Sequence, residues 1–483
     1  MPLTVILMEG IMTKVKMQNS VTEGNIFFGL LRFAVPLVLS GMLQIFYNMA
    51  DSIVVGKFSG DYYALGSIGS TSSLTGLIIN VMIALSVGAT VLVSQLYGAK
   101  KSEDVSRTVH TAMAIALIGG IIMMTLGIAV SRPALSLMGT KDVYFEKALI
   151  YARIICIGAP AVAVYNFGSG ILRAIGDSKT SLFILSASGL LNVGLNLFLV
   201  IVCHLSVEGV AIATIAAQYT SAIAVVIVLN SRRGESYRFQ PRKIRVEKQC
   251  LTRIFRIGIP AMLQTVFFAL SSVIIVSAMN TFPAHLVQAN SIATSIEAFT
   301  YTAMNSIAGA ALTFMGQNFG AKKYSRMNKV FVFSAIQVIF IALFISHTEV
   351  LFGRALAMLY IDSTNPDLNL IVDSVMEILS IMLMLYFLCG VFEVNSAVLR
   401  AMGYSVRSMI ASIISVTVRV AWVIAVVSVP KLHTVKLLFL SYVVAWIFAI
   451  IITVVFSILI WRKLGINKKA KLEKKENINE KAY

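Results

Sequence analysis

The sequence predicts an all-α polytopic membrane protein, with twelve transmembrane helices in two six-helix lobes related by a parallel internal repeat. Three observations carry this reading. The 483 residues are 58% hydrophobic and only 13% charged, against roughly 45–50% apolar and about 25% charged in a soluble globular protein. The uncharged residues are also continuous, in stretches such as 62–99, 180–207 and 437–461, and about 20 helical residues cross a hydrocarbon core roughly 30 Å thick. Finally, short motifs recur half a chain apart. A soluble enzyme and a disordered or fibrous chain are excluded.

Splitting the apolar runs at polar punctuation places the helices near 30–56, 63–96, 107–130, 147–172, 180–203, 207–230, 254–280, 286–317, 328–348, 371–399, 408–429 and 435–461. The net charge of +18 is distributed by topology. The amino-terminal side and every second loop hold 31 of the 40 basic residues, the opposite side holds eight, and Arg419 sits within a helix. This positive-inside skew predicts cytoplasmic termini and leaves no reason to invoke nucleic acid as a partner. Anionic lipid at the basic tail is a further expectation. Residues 1–24 read as a cytoplasmic leader, 25–231 as the first lobe, 232–253 as a basic inter-lobe loop, 254–462 as the second lobe, and 463–483 as a basic tail.

The repeat is explicit. Residues 94–101 read SQLYGAKK and 316–323 read GQNFGAKK; 172–176 read LRAIG and 399–403 read LRAMG; Pro36 matches Pro260. Six helices separate each pair, an even number, so the halves enter the membrane in the same direction. Two such lobes with a cleft between them suit a transporter that opens alternately to either side. The four cysteines (Cys156, Cys203, Cys250, Cys389) form no CxxC pair. No HExxH or Walker motif is present, no nucleophile–base pairing marks an enzyme, and neither a cofactor nor a resident metal is expected.

Polar groups inside spans are costly and usually functional. Asp51 lies nineteen residues after Arg32, about 28 Å along helix one. Asn192 and Asn196 share a face of helix five at i,i+4 spacing, and Thr214 of helix six reaches a comparable depth. One carboxylate with amide and hydroxyl oxygens can take a proton or a hard cation such as sodium; helix-gluing amides are the competing reading of the two asparagines. In the second lobe, Glu297 of helix eight and Arg419 of helix eleven are both deep, and a buried Glu297–Arg419 ion pair would neutralise them. Otherwise Glu297 is a counter-charge for a cationic substrate. Glu393, seven residues before Arg400, is a lesser candidate near the inner interface. Gln44, Tyr47 and Asn48 of helix one offer a polar and aromatic wall for flat organic cations.

These residues bear a resemblance. The stretch from Pro36 through QIFYNMADSIVVGKF to ALGSIG, with the paired GAKK loops and LRA-G ends, resembles the multidrug and toxic compound extrusion (MATE) family over essentially residues 25–462. The lack of an acid in helix seven makes it similar to the DinF-like branch. The resemblance implies a bacterial inner-membrane antiporter, expected as a monomer, that exports organic cations against protons or sodium. It matches Asp51 to the family's first-helix aspartate, Asn192 to the helix-five asparagine and Thr214 to the helix-six threonine. Asn196 stands where many members carry a second aspartate, which leaves Asp51 as the lone carboxylate. Pro36 resembles the proline at which the family's first helix bends. Alternatives are a flippase for lipid-linked saccharides, which should show a more basic cavity, and, more remotely, a membrane receptor or intramembrane enzyme.

Overall fold

The computed structural model describes residues 21–60, 63–361 and 365–479; most of the leader, residues 1–20, and the last four residues of the tail lie outside them. Among the described residues, nine helices are long and apolar enough to cross a membrane. Spans one to three are Ile26–Phe58, Ala64–Gly98 and Ser102–Leu137; five and six are Ser178–Val202 and Val207–Ser231. Spans seven, nine, eleven and twelve are Lys248–Met279, Tyr324–Leu351, Ser405–Ser428 and Val435–Leu464. Span eight, Ala284–Gly320, runs 37 residues but is diluted by polar side chains such as Gln288, Asn290, Glu297 and Asn305.

Spans four and ten correct the sequence expectation. Each was expected as one helix, and each is two: Asp142–Ile157 with Ala159–Ala174, bent by 42°, and Leu368–Met384 with Phe387–Ala401, bent by 44°. In span four the cause is local. Pro160 follows the break, and its missing N–H cannot close the turn onto Cys156. Span ten breaks at the repeat-related position without a proline, at Leu385 and Tyr386. Span five ends in a π-helical turn, Phe198–Val202, that begins two residues after Asn196. Such turns frequently mark functional sites.

Spans one and seven cross from one lobe to the other. The base of span one, including Ile26, Leu30 and Phe33, belongs to the core of the second lobe. Gln337 of span nine donates to the Phe27 carbonyl at 2.7 Å, and Phe33 meets Phe314 edge-on with centroids 5.8 Å apart. At the far end, Val54 and Val55 pack with Ala64, Val200 and Val207 of the first lobe. Span seven does the reverse: Ile254 lies in the first-lobe core, and Ile275, Ala278 and Met279 lie in the second. Pro36 and Pro260 sit inside these continuous helices, near the crossing. Each proline leaves the carbonyl four residues earlier without a helical donor, so both crossing spans carry a weak point between their two anchors.

The first and last described segments lie on one face, hereafter the basic face. Arg326 donates to the carbonyls of Gly24 (2.9 Å) and Glu23 (3.0 Å). After span twelve, Gly465 takes a left-handed φ of 62°, a conformation that costs glycine little. The chain turns there into a helix, Ile466–Asn479. Glu473 on it accepts from the Ser325 backbone N–H at 2.9 Å, capping the start of span nine where the helix dipole favours an anion.

Candidate functional site

Asp51, half-buried on span one, faces spans five and six. Asn196, fully buried on span five, donates its amide Nδ2 to Asp51 Oδ1 and to Asn192 Oδ1, the latter at 3.4 Å. Asn192 donates in turn to Thr214 Oγ1 of span six at 3.4 Å, and the Thr214 hydroxyl lies against the Asp51 carboxyl group as well. The structure therefore brings Asp51, Asn192, Asn196 and Thr214 into one hydrogen-bonded cluster. No ion pair to Asp51 is formed among the described residues. Asn196 Oδ1 is buried without a partner, an exception that calls for an occupant or a second state. Tyr151 of span four approaches Asp51 closely enough to feel its charge. Sequence reasoning missed it, because a lone tyrosine in an apolar helix carries no signal.

The remaining span-one candidates divide. Gln44 and Asn48 are exposed, on the helical stripe that leads to Asp51. Tyr47 is half-buried and donates to the Ser186 carbonyl at 3.3 Å. Its ring fills the space a side chain at Gly189 would occupy, so Tyr47 locks span one to span five. Pro36 lies below this stripe.

In the second lobe the expected Glu297–Arg419 ion pair does not form. Arg419 donates Nε to Ser271 Oγ of span seven at 2.7 Å and lies over the Tyr442 ring of span twelve, 4.9 Å from its centroid. Both side chains come near Tyr442 and Cys389, so they share one region of the lobe without closing to ion-pair distance. Glu297 is instead close enough to Glu349 at the end of span nine for the carboxyl groups to interact. Glu393 is buried and pairs with Arg400 at 3.9 Å. Arg400 also donates to Gln264 Oε1 at 3.1 Å.

The doubled motifs meet at the basic face. Gln95, from the first SQLYGAKK motif, donates to the carbonyl of Ala401 in LRAMG at 2.6 Å. Gln317, from GQNFGAKK, donates to the carbonyl of Ala174 in LRAIG at 2.7 Å. Each lobe thus reaches across to the other through the same residue type. The glycines of the motifs permit it: a side chain at Gly98 would strike the Gln317 backbone, and one at Gly320 would strike the Gln95 backbone. Close backbone approach at small residues is how membrane helices pack without a hydrophobic drive. The lobes are sealed together on this face.

A family model described as MatE matches residues 36–198 and again 260–424, the two halves of the repeat. The chain is 25% identical over 457 residues to the probable multidrug resistance protein YoeA of Bacillus subtilis (strain 168), covering 90% of this chain and 94% of that one. It is 24% identical over 324 residues to DNA damage-inducible protein F of Escherichia coli (strain K12), covering 66% and 70%. Among solved structures it resembles a MOP superfamily transporter from Pyrococcus furiosus, with a TM-score of 0.85 at 20% identity over 95% of this chain and 99% of that one. An outward-facing multidrug resistance MATE transporter matches with a TM-score of 0.82 at 21% identity, covering 95% and 100%.

Proposed function

The chain belongs to the MatE family, a family of membrane transporters, and from that premise we propose that it is an ion-coupled antiporter exporting organic cations, with Asp51 as its coupling carboxylate. One observation carries the reading. Asp51 stands inside the bilayer region on a span anchored in both lobes, held by neutral amides and hydroxyls and not by a fixed counter-charge. A carboxyl group so placed is neutralised only by what it binds. The names of the relatives, multidrug resistance proteins among them, support the cargo class.

The cluster favours a proton as the coupling ion. An ionised Asp51 accepts from Asn196 Nδ2, as observed. A protonated Asp51 needs an acceptor, and Asn196 Oδ1 is the buried oxygen without a partner. A flip of one amide lets Asn196 serve either state, because an amide carries a donor and an acceptor on one axis. A second aspartate there would serve sodium better by adding charge. Sodium nevertheless has the same oxygens available, those of Asp51, Asn192, Asn196 and Thr214.

Coupling follows from the crossing geometry. Occupancy at Asp51 changes how span one is held against spans five and six, and its base is fixed in the other lobe. Pro36 between them is the natural place to bend, so the ion biases which face the cleft opens to. A ligand shifts such an equilibrium only through unequal affinity for the two states. Exposed Gln44 and Asn48, together with half-buried Glu297, supply the cargo's polar contacts. The basic face is cytoplasmic on this reading, in the inner membrane of a bacterium, and the protein acts as a monomer in the lipid bilayer.

The test is efflux of ethidium from cells expressing the protein, with acid and sodium pulses given separately. Export on the acid pulse alone is expected. Export on the sodium pulse alone would transfer the coupling role to sodium. No dye movement on either pulse would count against the antiporter and bring the lipid-linked saccharide flippase forward.

A further inference from the structure

Arg419 is a buried cation to which the mechanism above gives no role. It is 7% exposed, and among the described residues no carboxylate pairs with it. Its Nε is bonded to Ser271 Oγ, and its guanidinium lies over the Tyr442 ring. Its Nη2 is buried without a partner. The hydroxyl of half-buried Tyr442 also makes no hydrogen bond among the described residues.

The internal repeat relates this group to the Asp51 cluster. Spans five and eleven start at Ser178 and Ser405, and in that register Arg419 stands where Asn192 stands. Spans six and twelve start at Val207 and Val435, which sets Tyr442 in the place of Thr214. Counted from Pro36 and Pro260, Ser271 takes the place of Tyr47 and Ile275 that of Asp51. The contacts repeat as well: Asn192 bonds to Thr214, and Arg419 packs on Tyr442. The second lobe thus holds the counterpart of the cluster with its polarity reversed. An apolar side chain replaces the carboxylate, and a guanidinium replaces an amide.

A guanidinium inside the bilayer region is costly unless an anion joins it. The neighbouring acids do not supply one. Glu393 is taken up by Arg400, and Glu349 is bonded to Thr300. Glu297 comes near Tyr442 and Cys389, as Arg419 does, yet the two form no ion pair. The region is open to cargo, since Tyr301, which comes near Glu297, Glu393 and Cys389, is 40% exposed.

We propose that Arg419, with the hydroxyls of Ser271 and Tyr442, is a carboxylate subsite, and that the preferred cargo carries a carboxylate as well as its cationic group. The planar fork of a guanidinium matches a carboxylate. One cation and two hydroxyls neutralise a single negative charge, which suits a carboxylate better than a phosphate dianion. Glu297, held apart from Arg419 in the same region, takes the cationic end. The inference rests on the reading of organic cations as cargo and adds a second charge to them.

The test is equilibrium binding of rhodamine B and of its ethyl ester to the full-length chain in lipid nanodiscs at neutral pH. Both dyes are flat cations, and only the parent dye carries a carboxylate. Fluorescence anisotropy is read against empty nanodiscs, so neither transport nor a coupling ion is needed. Wild type should bind rhodamine B about tenfold more tightly than the ester, the effect of one hydrogen bond between charged groups. Arg419→Gln should weaken rhodamine B by about that factor and leave the ester no weaker, so that the preference disappears. Tyr442→Phe keeps the ring beneath the guanidinium and should narrow the preference without weakening the ester; it decides if Arg419→Gln fails to fold. Equal or tighter binding of the ester by wild type overturns the subsite, as does an unchanged preference in the variant that folds. Binding of the ester without preference for the acid leaves cationic cargo standing while the subsite falls, and binding of neither dye overturns both.

Discussion

Gly98→Leu is expected to open the seal between the lobes and to abolish export while the protein still folds. A Cβ at residue 98 meets backbone atoms of Gln317, and backbone cannot swing aside as a flexible side chain can. The reciprocal bonds from Gln95 to Ala401 and from Gln317 to Ala174 depend on that approach. Overpacking of this kind costs about 1–3 kcal/mol. The cost falls only on the sealed state, because the two backbones separate when the basic face opens. About 2 kcal/mol displaces a two-state equilibrium roughly 30-fold. Ser94, fully buried at the lobe contact beside Gly316, reports the change. With Ser94→Cys as the single reactive thiol, labelling from the basic face should rise by about that factor in Gly98→Leu. An unchanged labelling rate would show that the glycine contact does not hold the lobes.

Arg400→Met is expected to be the most destabilising single change in the second lobe. Glu393 is buried and the Arg400 side chain is only 13% exposed, the two lying 3.9 Å apart, and Gln264 accepts from the same guanidinium. Removing the cation leaves a carboxylate uncompensated in the bilayer region, a loss of about 3–5 kcal/mol. Arg400→Met should therefore unfold in detergent at a clearly lower temperature than wild type. Arg400→Met/Glu393→Gln should recover most of the difference, because the orphaned charge is gone. Equal stability of Arg400→Met and wild type would mean that Glu393 has another partner.

Much of the fold was legible in the sequence because a bilayer permits few solutions. Apolar runs of sufficient length become spans, and the paired GAKK and LRA-G motifs disclose the repeat. The meeting of the Asp51, Asn192, Asn196 and Thr214 side chains could be anticipated because three helices brought polar groups to one depth. The same argument failed for Glu297 and Arg419. Residue counting gives a coordinate along a helix axis, but not which partner a side chain takes: Arg419 comes near the same Tyr442 as Glu297 and is held by Ser271 and the Tyr442 ring instead. Glu349 escaped for a related reason: the apolar run ends at His347, so the acid fell one residue outside the expected helix. The doubled glutamines were visible as a repeat and not as a latch, since nothing in a motif says that its partner lies in the other half of the chain. The bend in span ten has no proline to announce it.

The central claim, that Asp51 carries the coupling ion, is tested most directly by counting protons exchanged for exported ethidium in proteoliposomes holding wild type or Asp51→Asn. Asparagine keeps the shape of the residue and can still bond to Asn196, so the cluster should stay assembled while its one ionisable group is lost. The expected result is proton-linked dye movement in wild type and none in Asp51→Asn, at equal protein level and thermal stability. Dye and proton movement by Asp51→Asn at the wild-type rate and ratio would contradict the account.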